Sequence, residues 1–224
     1  MELISKISDS LYEINLGHVK CFVVKSPKGL ILIDTGLPNS LNKIKIALAS
    51  VQLDLAHIKY IFITHSHLDH IGSLFDIKQV TAAMVGINEK GIPFLAKVRL
   101  PRGHDPKSIV FSGLVRVMSL TTKLKPVKVD MLLSEGSVPE EFGINMTILS
   151  TPGHTDDSVS FYFPEDKVVI VGDMFNGEKD RLTLPSFYES KEQLLKSIDR
   201  IRQLDVNTIC VSHGLNNTKD KIAI

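Results

Sequence analysis

Apolar residues in the first third of the chain fall in short, β-branched runs divided by turn residues, the pattern of strands rather than helices. Residues 2–8, 11–16 and 19–26 form three such runs. Pro27-Lys28-Gly29 then reads as a turn before a buried strand, Leu30-Ile31-Leu32-Ile33, that stops at Asp34-Thr35-Gly36. Beyond it Leu41, Ile44, Leu48 and Val51 recur at helical spacing, with Asn39 or Ser40 placed to cap the helix. Tyr60-Ile61-Phe62-Ile63 is a further buried strand running straight into Thr64-His65-Ser66-His67. A second cycle follows, with strands at 144–150, 159–163 and 168–171, a helix at 191–204 capped by Ser190, and a last strand at 208–211. Buried strands with helices spaced between them predict an α/β fold. Two sheets packed face to face with helices outside give a four-layer αββα sandwich in one domain, 1–224.

Residues 86–128 break that rhythm. Ile92, Phe94, Leu95 and Val98, then Val110, Phe111, Leu114, Val117 and Met118, fit helical faces, so an inserted helix or helical pair is expected. The segment carries nine basic residues (Lys90, Lys97, Arg99, Arg102, Lys107, Arg116, Lys123, Lys125 and Lys128) against Glu89 and Asp105, a local +7 in a chain whose formal net charge is +1. Set between two histidine motifs, it is expected either to cover the site and favour an anionic substrate, with Arg99 and Arg102 among the selecting charges, or to form a homodimer contact.

Composition adds mainly exclusions. A hydrophobic fraction of 43% with 23% charged residues is ordinary for a globular domain, and near-neutrality offers no general attraction for nucleic acid or a membrane surface. The first residues, Met1-Glu2-Leu3-Ile4-Ser5-Lys6, lack a basic stretch followed by an apolar run, so a cytoplasmic location is expected. Cys21 and Cys210 lie in separate strands and are expected as buried free thiols.

Histidine carries the specific signal. Five of eight sit where apolar strands end, and three of these share the run His65-Ser66-His67-Leu68-Asp69-His70. In extended backbone the side chains of i and i+2 point the same way, so His65 and His67 can grip one ion together. A short helix at Asp69 would turn Asp69 and His70 toward a second position. His154, Asp173 and His213 each close a separate strand. So many ionisable groups beside an apolar core are costly unless a metal or partner compensates them. Imidazole suits zinc and iron, and a carboxylate can bridge two ions. With no cysteine in the set, a structural cysteine-rich zinc site is excluded.

Thr64-His65-Ser66-His67-Leu68-Asp69-His70-Ile71-Gly72 resembles the His-x-His-x-Asp-His signature of the metallo-β-lactamase superfamily. Asp34-Thr35-Gly36, Thr151-Pro152-Gly153-His154-Thr155, Gly172-Asp173 and Ser212-His213-Gly214 match its further elements in order. The resemblance implies the metallo-β-lactamase fold. It also implies two divalent ions, zinc first with iron or manganese as alternatives. His65, His67 and His154 would hold one ion, Asp69, His70 and His213 the other, and Asp173 would bridge them. Asp34 would orient a ligand histidine from behind, and Asp69 is also the candidate proton shuttle.

The implied chemistry is hydrolysis of an ester, thioester or lactone in a small-molecule substrate, through a hydroxide bridging the two ions. Alternatives from other classes are a persulfide-dioxygenase-like enzyme with a single iron, and a phosphodiesterase or nuclease, although no nucleic-acid partner is expected. True β-lactamases typically lack the bridging aspartate, and diiron flavoprotein relatives usually have Glu where His67 stands. Glyoxalase II typically has a second glycine where Ser73 follows Gly72. The chain runs 11 residues beyond His213, so the C-terminal helical region of glyoxalase II, and glutathione specificity with it, is expected to be absent.

Overall fold

A strand is buried at successive positions only when both of its faces are covered. In the computed structural model, which describes residues 2–97, 99, 113, 117, 122–138 and 142–224, β4 (Gly29–Ile33) shows that pattern, with Leu30 to Ile33 all buried. It sits at the centre of a seven-stranded sheet in sequential order: β1 (Ile4–Lys6), β2 (Leu11–Asn15), β3 (Lys20–Ser26), β4, β5 (Ile58–Phe62), β6 (Met84–Ile87) and β7 (Met131–Leu132). A five-stranded sheet combines β8 (Gly136–Ser137), β9 (Thr147–Ser150), β10 (Val159–Phe163), β11 (Val168–Ile170) and β14 (Thr208–Cys210) in the order β14-β11-β10-β9-β8. A small third sheet joins β12 (Asn176–Gly177), β13 (Leu182–Thr183) and β15 (His213–Gly214).

Side-chain alternation divides the core into three layers. Ile31, Ile33, Phe22 and Phe62 face Ile148, Phe161 and Ile170 of the other sheet. Leu30 and Leu32 point oppositely, to Ile44, Ala47 and Leu48 of α1 (Leu41–Ser50), to the layer holding Ile71 of the short α2 (Leu68–Ile71), and to Leu74 and Ile77 of α3 (Leu74–Thr81). Val169, Val171, Ile209 and Val211 pack against Leu194, Ile198 and Ile201 of α4 (Lys191–Arg202). The expected αββα layering is therefore present. Each fully buried aliphatic or aromatic side chain contributes about 1.5–3 kcal/mol from removal of apolar surface from water.

Connectivity positions the site. Parallel strands need a crossover, and here helices supply it: α1 between β4 and β5, and α4 between β11 and β14. The loops leaving the C-terminal ends of β4, β5, β11 and β14 thus gather Asp34, residues 64–70, Asp173 and His213. Gly153 after β9 lets α4 approach this edge. At its φ of +143°, an added Cβ would stand 2.3 Å from the Leu194 Cα.

Several local expectations are corrected. Ser40 precedes α1, but its hydroxyl donates to the Leu37 carbonyl and caps no amide of the helix. Ser190 does cap α4, accepting from the Gln193 amide. Gly86 and Ile87, placed in the insertion from sequence, belong to β6. The expected amphipathic helix around Ile92 and Phe94 is a 3-10 turn, Glu89–Phe94, because Pro93 lacks an amide hydrogen and Gly91 weakens helical order. Val117 is exposed. Val98, Val110, Phe111, Leu114, Met118, Arg102, Lys107 and Arg116 lie outside the described residues, so the second part of that expectation does too. Cys21 and Cys210 are both buried and free, and burial pushes both thiols up. Among the described residues, no helix is long and apolar enough to cross a membrane.

Candidate metal centre

The turn after β4 is built to hold an aspartate. Asp34 takes a left-handed φ of +62°, its amide donates to the Phe62 carbonyl, and its side chain is fully buried. Such backbone strain in a non-glycine residue persists only where surrounding contacts fix it. Here Asp34 Oδ1 accepts from the Thr64 amide at 2.8 Å. Its Oδ2 accepts from the Thr64 hydroxyl and from His70 Nδ1, each at 2.8 Å.

These bonds decide which imidazole nitrogens face inward. With its Nδ1–H given to Asp34, His70 keeps a lone pair on Nε2. His154 donates from Nδ1 to the Phe187 carbonyl at 2.7 Å, and His213 from Nδ1 to the His18 carbonyl at 2.9 Å. Because the Thr64 hydroxyl is committed to Asp34, it accepts from His65 Nδ1 at 3.1 Å. Four histidines are thereby held in the tautomer that aims Nε2 at a common space.

Inside that space the acceptors crowd one another. His65 Nε2 lies 3.2 Å from His67 Nδ1, which lies 2.9 Å from His154 Nε2. Asp173 Oδ2 stands 3.8 Å from His65 Nε2 and 3.5 Å from His154 Nε2. On the other side, His213 Nε2 is 3.2 Å from both Asp69 Oδ2 and Asp173 Oδ2, and His70 Nε2 is 3.2 Å from Asp173 Oδ1. Ligand atoms 2.0–2.1 Å from a tetrahedral ion would stand about 3.3–3.4 Å apart. Two groups match that spacing, His65-His67-His154-Asp173 and Asp69-His70-Asp173-His213, each with its ligand atoms within 4.8 Å of one another. Asp173 belongs to both.

The chemistry of the donors also fits a cation. His70 Nε2 and Asp173 Oδ1 are buried without a hydrogen-bond partner, which is expensive unless something positive lies between them. Burial pushes His65 and His67 well toward the neutral, ligating form and moves His154 the same way. Burial also acts on His70 and His213, but Asp173 and its neighbouring carboxylates outweigh it, raising His70 well above its usual range and His213 to about 10. Without an ion, protons on those rings stand in for it. The histidines in turn hold Asp69 and Asp173 ionised against the opposing effect of burial. Asp69 and His213 are 21% and 23% exposed where Asp173 is 10% exposed, so the cluster opens to solvent along the Asp69–His213 edge, beside the exposed His18.

All eight residues singled out in the sequence thus meet at one edge of the fold. Sequence reasoning missed the Phe187 and His18 carbonyls, which any residue type supplies, and a buried ionic cluster at Arg99. Arg99, expected among the charges facing an anionic substrate, is 6% exposed and already paired with Asp156, Asp157 and Glu189. It does not act as a free substrate-facing charge.

Similarity to known proteins runs over most of the chain. The nematode beta-lactamase-like protein 2 homolog (Caenorhabditis elegans) is 27% identical across 96% of the chain, which spans 64% of that relative's length. The hydroxyacylglutathione hydrolase GloC of Haemophilus influenzae is 31% identical over 75% of the chain and 73% of its own. Among solved structures, the subclass B3 metallo-beta-lactamase BJP-1 of Bradyrhizobium japonicum superposes with a TM-score of 0.72 at 22% identity, covering 94% of this chain and 77% of that one. A metallo-beta-lactamase family protein of Thermus thermophilus gives 0.72 at 21% identity, covering 96% and 77%. These two structures establish the shared fold. The family model described as the metallo-beta-lactamase superfamily matches residues 14–213, from β2 to the last histidine of the cluster, and the chain belongs to that superfamily.

Proposed function

We propose that this protein is a metal-dependent hydrolase of a carboxylic ester, thioester or lactone. The observation that carries the reading is the pair of donor groups sharing Asp173, with the inward nitrogens fixed by bonds made behind them. His65, His67 and His154 would hold one divalent ion and Asp69, His70 and His213 the other, with Asp173 common to both. Zinc suits a set of imidazoles and carboxylates. Ions bound there supply a water-derived nucleophile at neutral pH and Lewis acidity toward a carbonyl oxygen.

The chain's own residues do the remaining work. Asp34 and the Phe187 and His18 carbonyls keep the histidines from rotating away, so the site is organised before substrate arrives. Asp69 stands at the open edge and is held ionised, so one carboxylate oxygen can serve as ligand while the other accepts a proton. A cavity of 310 Å³ on the helix side of the first sheet is lined by Ile71, Gly72, Asp76, Lys123 and Lys125 and by none of the donor residues, so it is not assigned to the substrate. The hydroxyacylglutathione hydrolases among the relatives support a thioester in particular.

The test is a panel of thioesters, lactones and phosphodiesters assayed on protein whose metal content has been counted. Turnover of carboxylic derivatives with two ions per chain is expected. Oxygen uptake with a single iron, or cleavage of phosphodiesters alone, would overturn the assignment.

A further inference from the structure

Arg99 sits where three separate stretches of chain meet: two carry the histidines of the His65–His67–His154 group, and the third carries the carbonyl that orients His154. Its Nη1 donates to Ser66 Oγ at 3.0 Å and to Asp157 Oδ1 at 2.9 Å. Its Nη2 donates to Asp156 Oδ1 at 2.5 Å and to both oxygens of Glu189 at 2.8 Å. Ser66 lies between His65 and His67, and Asp156 and Asp157 follow His154 by two and three residues. Glu189 closes the set, since its amide donates to the Gly153 and His154 carbonyls and its carboxylate accepts from the Asp156 amide. Phe187, two residues earlier, supplies the carbonyl that orients His154.

The residue type suits the position. Five oxygens on four side chains need a planar fork with several donors, which guanidinium has and a lysine ammonium lacks. One cation faces three carboxylates. Asp157 is fully buried, and its Oδ2 has no hydrogen-bond partner, so without Arg99 that carboxylate would lose its compensating charge. The chain bringing Arg99 in is also seated on this wall. Phe94 lies under the guanidinium at 4.3 Å, and Gly91 packs so close that an added Cβ would stand 2.5 Å from Asp157 Oδ2.

We infer that Arg99 is a positioning residue that clamps the wall of the His65–His67–His154 group and ties metal affinity there to the seating of Gly91, Phe94 and Arg99. This rests on the metal-centre reading above. In the full chain, zinc affinity is measured by chelator competition in two backgrounds. His213→Ala leaves the first group as the tighter site, and His154→Ala leaves the second. Adding Arg99→Lys, which keeps the charge and loses the fork, should weaken zinc about 10–100-fold in the first background, as loss of a residue supporting metal ligands does, and less than about threefold in the second. Added guanidinium ion should restore affinity to Arg99→Ala. The control is Ile58→Ala, a fully buried change in the first core layer at the far end of β5. It should lower the melting temperature without selecting between the backgrounds. Unchanged affinity in folded Arg99→Lys, or equal losses in both backgrounds, would overturn the positioning role. A wild-type chain holding no zinc would overturn the metal centre itself.

Discussion

Stripping metal with a chelator should lower the melting temperature of the loaded protein by roughly 15–30 °C. An ion present at a thousand times its dissociation constant stabilises the folded state by about 4.1 kcal/mol. Two such ions give about 8 kcal/mol, and a chain of this size shifts by about 2–4 °C per kcal/mol. The structure supplies the reason that the metal-free form is weaker. His67 Nδ1 lies 3.2 Å from His65 Nε2 and 2.9 Å from His154 Nε2, and Asp69 and Asp173 share the edge with only histidine protons to separate them. Calorimetry before and after chelation checks this, and readdition of zinc should restore both the midpoint and turnover. A midpoint insensitive to chelator would mean that the cluster is satisfied by protons alone.

Replacing Asp173 by Ala should cut turnover about 10³-fold while moving the melting temperature of the metal-free protein by only a few degrees. The activity loss follows from its place in both donor groups. Metal-assisted charge stabilisation amounts to several kcal/mol, and each 1.36 kcal/mol is a factor of ten in rate. Stability responds less because the loss is partly offset. Asp173 holds His70 and His213 protonated, and without it those buried rings are freer to discharge. Metal per chain should fall from two toward one. Wild-type turnover of the variant at saturating metal would remove Asp173 from the site.

Much of this centre was legible because its residues follow strands too apolar to be anything but core. Ile31 to Ile33, Tyr60 to Ile63 and Val168 to Val171 each end at a polar residue of the cluster, so strand periodicity and histidine spacing point the same way. Helix α4 was legible for the same reason, with a Ser190 cap followed by Leu194, Ile198 and Ile201 on one face. What escaped was short or non-local. Helix α3 has eight residues and β6 four, one of them glycine, too few for a period to stand out. The two-residue strands β12 and β15 exist only through pairing with distant residues, Asn176 and Gly177 with His213 and Gly214 on one side and with Thr183 and Leu182 on the other. Arg99 was counted as one of nine basic residues open to substrate because its partners lie 33 to 90 residues away, and nothing in the local sequence marks a basic residue as already paired.

Two ions held by two groups with Asp173 common to both is a claim about position, and anomalous diffraction from crystals grown with zinc tests it directly. Two peaks are expected. One should lie within bonding distance of His65, His67, His154 and Asp173, and the other within bonding distance of Asp69, His70, His213 and Asp173. A single peak at full occupancy, or peaks away from Asp173, would contradict it.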